Sequence, residues 1–65
     1  MSVAKVIEIL SEGKSIEEAV EAAVQQSSQT VRNVKNVYIE GIQAIVKDGK
    51  VANYRVNAKV TFIVE

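Results

Sequence analysis

A chain of 65 residues with neither cysteine nor histidine excludes disulfide staples and thiolate metal sites, and lacks the commonest general base. Eight Lys and Arg balance eight Asp and Glu, so no basic field exists to attract nucleic acid or an anionic membrane. Ordering so short a chain costs about 1.5 kcal/mol per residue, which one small core barely offsets, and the composition therefore points to a cytoplasmic homo-oligomer that is not an enzyme.

Twelve Val and seven Ile against a single Leu favour sheet over helix. No apolar run reaches the length of a membrane span, and the opening MSVAKVIEIL lacks the layout of a signal peptide. Residues 3–10, VAKVIEIL, read as a first strand closed by the turn-like Ser11-Glu12-Gly13-Lys14. Ser15 then opens a helix. Ser15-Ile16-Glu17-Glu18 has the form of a capping box, with Ser15 at the N-cap and Glu18 three residues on. Ile16, Ala19, Val20, Ala23, Val24, Ser27, Val31 and Val34 recur at three- and four-residue steps, and the spacing predicts a helix over 16–32 with one apolar stripe.

A second strand is predicted over 36–47, followed by Asp48-Gly49, a two-residue hairpin signal because both positions tolerate positive φ. In the third, over 50–64, apolar Ala52, Tyr54, Val56, Ala58, Val60, Phe62 and Val64 alternate with polar Asn53, Arg55, Asn57, Lys59 and Thr61. The expected fold class is α+β, in the order β-α-β-β: a three-stranded antiparallel sheet packed on one amphipathic helix. It forms a single domain over 1–65, with the third strand in the middle.

The two-residue loop sets a register: Lys47 opposite Lys50, Ile45 opposite Ala52, Gly41 opposite Val56 and Val37 opposite Val60. This turns the odd residues of the second strand, Gln43 among them, toward the helix. The other face then carries Asn36, Tyr38, Glu40, Ile42 and Ala44 beside Asn53, Arg55, Asn57 and Lys59. With one helix covering one side, this mixed outer face is expected to meet another subunit. A diagonal ion pair between Arg55 and Glu40 is the plain structural reading of that arginine.

Catalytic chemistry finds little footing. Ser, Thr and Lys have no histidine to activate them, and the three glycines are too scattered for a phosphate loop. Glu8, Glu12, Glu40 and Asp48 show no metal-ligand spacing within one chain. No catalytic residue and no metal site are therefore predicted.

The opening KVIEI at 5–9, the SEGKS turn, TVRNV at 30–34 and NYRVNAKVTF at 53–62, with the length and element order, resemble the dodecin family of small flavin-binding proteins that assemble as hollow dodecamers. The resemblance covers nearly the whole chain. It implies a homododecamer that binds, stores or sequesters a flavin, riboflavin or FMN. In flavin-binding members a Trp early in the second strand stacks on the isoalloxazine ring, and a Gln in the third strand bonds its polar edge; aligned without gaps, these fall on Asn36 and Arg55. The resemblance thus implies a variant lacking the stacking Trp, its cofactor site lined by Asn36, Tyr38 and Arg55. Tyr38, on the same face as Asn36, supplies the platform and Arg55 the polar clamp. The alternative is a shell that has lost flavin binding and serves as a structural, ion-binding or other small-ligand assembly. Either way the partners are further copies of the chain and a small flat ligand, not nucleic acid or membrane.

Overall fold

The computed structural model describes residues 3–64; residues 1, 2 and 65, the ends of the expected domain, lie outside it. Strand β1 (Val3–Gly13) leads into helix α1 (Ile16–Thr30), followed by the hairpin of β2 (Val34–Lys47) and β3 (Lys50–Val64). The sheet order is β1-β3-β2, with both outer strands antiparallel to β3. The element order, the antiparallel sheet and the central place of β3 are as predicted. The most regularly alternating strand takes the middle because only there are both its edges hydrogen-bonded.

Three boundaries move, the start of β2 among them, at Val34 rather than residue 36. β1 runs on to Gly13, since Ser11, Glu12 and Gly13 pair with Val56, Arg55 and Tyr54. The helix stops at Thr30, two residues short of the predicted end: Val31 is already extended (φ −130°, ψ 153°) and Asn33 is left-handed (φ 60°), which swings the chain into β2 at Val34. At the other helix end Ser15 Oγ accepts from the Glu18 N–H at 3.0 Å, the expected cap. The Glu18 carboxylate reaches back to the Lys14 N–H at 3.4 Å, one residue beyond the partner a capping box would use.

The core is narrow. Ala19, Ala23 and Ser27 of α1 are buried, as are Val56, Ala58 and Val60 of β3, so small side chains let the helix lie close on the central strand. The hydroxyls in this contact are satisfied: Ser27 Oγ donates to the Ala23 carbonyl at 2.7 Å and Ser11 Oγ to the Ala19 carbonyl at 2.6 Å. Gly13 permits the tight entry to the helix, because a Cβ there would stand 2.6 Å from the Ala19 nitrogen and 2.8 Å from the Glu18 Cβ.

The hairpin departs from the predicted register. Asp48 and Gly49 do form the turn, both with positive φ (53° and 74°), and Lys47 faces Lys50 and Val37 faces Val60 as expected. Between these points, however, Ile45 faces Asn53 and Gly41 faces Asn57. Ala52 is an extra residue on β3 and Glu40 an extra residue on β2, and the two bulges cancel. Within the shifted stretch the faces exchange. Ile42 and Ala44, predicted to point outward, lie opposite Val56 and Tyr54 on the helix side. Gln43 and Ile45, predicted to face the helix, lie opposite Arg55 and Asn53 on the open side.

Candidate functional site

Cross-strand pairing arranges the open face in rows, since residues directly opposite share a face. Val6, Thr61 and Asn36 form one row, and Glu8, Lys59 and Tyr38 the next. Leu10, Asn57 and Gly41 follow, then Glu12, Arg55 and Gln43. A shallow hollow of about 440 Å³ lies over the last two, lined by Leu10, Gly41, Ile42, Gln43, Arg55 and Asn57. It exists because Gly41 has no side chain: nothing lies within 4 Å of where its Cβ would stand. Leu10, 67% exposed, forms its apolar wall.

All three predicted site residues are on this face. Asn36 and Tyr38 follow one another on this face of β2, and Tyr38 is 64% exposed. Arg55 is not brought to them within one chain. Its row is four strand positions from that of Tyr38, about 13 Å along the sheet.

The partners of Arg55 differ from the expected diagonal pair. Its Nη2 and Nε donate to one oxygen of Glu12, Oε2, at 2.8 and 3.0 Å. The reason is the longer β1, which carries Glu12 to the position opposite Arg55. Glu40 instead takes Lys59 Nζ at 3.0 Å and the Asn57 amide at 3.3 Å. The Glu40 hydrogen bond and charge, with smaller contributions from Glu8 and Tyr38, hold the Lys59 ammonium above the usual lysine value against a slight desolvation.

Gln43 is the residue that sequence reasoning left out of the site. The available signal was Gly41, since a glycine inside a strand often marks a bulge. One bulge before Gln43 is enough to turn it to the open face. The row Glu12–Arg55–Gln43 then offers an acceptor, a fork of donors and an amide that is both. Such a strip can hydrogen-bond the polar edge of a flat heterocycle. Among the described residues no three acidic side chains gather as a metal site, and no helix is long and apolar enough to cross a membrane.

The dodecin family model matches residues 3–65. Among solved structures, the dodecin of Streptomyces coelicolor is 28% identical, with a TM-score of 0.92 over 98% of this chain and 93% of that one. An arginine-to-alanine mutant of the T. thermophilus dodecin is 24% identical, with a TM-score of 0.93 over 100% and 98% of the two chains. The dodecin of Streptomyces davaonensis is 22% identical, with a TM-score of 0.91 over 98% and 96%. These last two are likenesses of fold alone. No curated protein matches. With its β-α-β-β sheet and a family match along nearly its full length, the chain belongs to the dodecin family, whose members bind flavins without enzymatic activity.

Proposed function

We propose that this protein binds and stores a flavin, riboflavin or FMN, as a hollow homododecamer, at a site lined by Asn36, Tyr38 and Arg55, with Gln43 added to them. One observation carries the reading. An exposed aromatic ring and a polar Gln43–Arg55 pair beside a hollow share one open sheet face in a chain of a flavin-binding family. Passive storage needs a stacking surface and hydrogen-bonding edge groups but no acid–base machinery, which matches this residue set. The separation of Tyr38 from Arg55 means that the platform and the clamp meet one ligand when two copies bring their open faces together. Assembly also suits the large apolar surface that one chain leaves bare: Val6, Leu10, Ile42, Val46 and Val51 are each more than half exposed.

A second reading, a dodecin-like shell without flavin, rests on the absence of any Trp from the chain and on Asn36 at the aligned position. Asn36 offers no extended π face, and Tyr38 must then supply all the stacking.

Titration of the purified protein into riboflavin and FMN separates the two. Saturable quenching of flavin fluorescence near one flavin per subunit is the expected result. Unchanged fluorescence at tens of micromolar protein favours the flavin-free shell. Light scattering should give a mass near twelve times 7.1 kDa; a monomer would overturn the assembly.

A further inference from the structure

We infer that Glu12 makes the polar clamp electrically neutral and so selects an uncharged flat heterocycle over its phosphorylated form. This inference rests on the flavin reading above and names the ligand class of the same site. The geometry behind it is local. Glu12 Oε2 takes both the Nη2 and the Nε hydrogen bond of Arg55, so the guanidinium that lines the hollow carries its counter-charge with it. A lone arginine at the rim of an open hollow would recruit phosphate, since a guanidinium fork matches phosphate oxygens. Here that fork is partly occupied, and the charge is cancelled at contact distance.

The surrounding rows add to the effect. The next charged row places Lys59 between Glu8 opposite it on β1 and Glu40, whose carboxylate it contacts at 3.0 Å. Across these two rows three carboxylates, Glu8, Glu12 and Glu40, stand against two cations, Arg55 and Lys59, so the negative balance is local to them; Lys47 and Lys50 share the face at the hairpin end, with Lys47 four strand positions beyond Gln43. At the Arg55 and Lys59 rows an incoming phosphate meets only cations already paired with a carboxylate.

What remains at the clamp is an alternation suited to a neutral imide edge, in which carbonyl, N–H and carbonyl follow one another. Arg55 keeps N–H groups beyond the two bound to Glu12, and Gln43 opposite presents an amide donor and acceptor. The second oxygen of Glu12, Oε1, takes no side-chain hydrogen bond among the described residues and can accept an imide N–H. Glu12 is therefore a positioning residue: it holds the guanidinium and sets the charge of the site.

The test compares riboflavin with FMN on the assembled wild-type protein, Glu12→Gln and Glu12→Asp. Wild type is expected to bind riboflavin more tightly than FMN. Glu12→Gln should move the affinity ratio toward FMN by about threefold to fivefold, the scale of one solvent-screened charge contact, and Glu12→Asp should restore the preference. A ratio that does not move in Glu12→Gln overturns the inference.

A second measurement does not depend on flavin binding. Inorganic phosphate is titrated while the Arg55 Nε–H resonance is followed by NMR. The resonance should stay in place in wild type and shift in Glu12→Gln. A shift of equal size in wild type shows that Glu12 does not neutralise the clamp, whatever the flavin titrations give. If the phosphate result is as expected but neither flavin binds, the neutral clamp stands and the flavin reading falls.

Discussion

Gln43 lies directly opposite Arg55 across the β2–β3 pair, although counting back from the Asp48-Gly49 turn would place Tyr54 there. The offset of one residue is produced by the unpaired Ala52 and undone by the unpaired Glu40. It turns an amide that would have pointed toward the helix into a partner of the arginine beside the hollow.

The hollow depends on Gly41, and Gly41→Val should fill it. Nothing obstructs a side chain at that position, and β-branched residues suit strands. Stability to urea should therefore change by about 1 kcal/mol or less. Riboflavin affinity should fall by about tenfold or more, which corresponds to about 1.4 kcal/mol of lost binding. Undiminished affinity in fluorescence titration would place the ligand elsewhere.

Tyr38 is the proposed platform, and its exposure makes it a clean probe. Tyr38→Ala should abolish flavin quenching and leave the far-ultraviolet circular dichroism of the chain unchanged, because within one chain Tyr38 is 64% exposed and outside the core. Tyr38→Trp should strengthen quenching, since indole gives a larger stacking surface. Quenching that survives Tyr38→Ala would remove this residue from the site.

Gly13 is required by close approach. In Gly13→Ala the new methyl meets the Ala19 nitrogen and the Glu18 carbonyl carbon, at 2.6 and 2.9 Å. Both are backbone atoms that cannot swing aside, so the helix start must shift. Destabilisation of about 1–3 kcal/mol is expected, read as a lower urea midpoint.

Lys59 should titrate above the ordinary lysine value, chiefly through its hydrogen bond to Glu40. A raised pKa in the folded state means that the protonated form favours folding. The stabilisation is fully present below the unfolded lysine pKa and is lost as pH rises through the higher folded one. NMR of the Lys59 side chain in wild type and Glu40→Gln checks this: the midpoint should fall in the variant. An unchanged midpoint would show that the ion pair is not formed in solution.

Much is legible in the sequence alone wherever the cause is local. Ser15 and Glu18 announce the helix start, the 3.6-residue stripe of Ala19, Ala23 and Ser27 its buried face, and Asp48-Gly49 the turn. The strict alternation along β3 marks the strand with neighbours on both edges. Each of these follows from the conformational preference or burial of residues close together in the chain. The resemblance to dodecins rests on the same stretches.

The composition of the open face was not legible in this way. Whether Gln43 or Ile42 points outward depends on two bulges twelve residues apart that compensate each other, and the pattern of one strand does not reveal insertions in its pairing with another. Whether Arg55 meets Glu40 or Glu12 depends on how far β1 continues beside β3, a contact made across forty-three positions of sequence. The sequence by itself determined the elements, their order and the central strand, because local periodicity and turn chemistry control them. Only the tertiary structure decided which polar groups stand together at the hollow, because register is settled by the pairing of whole strands.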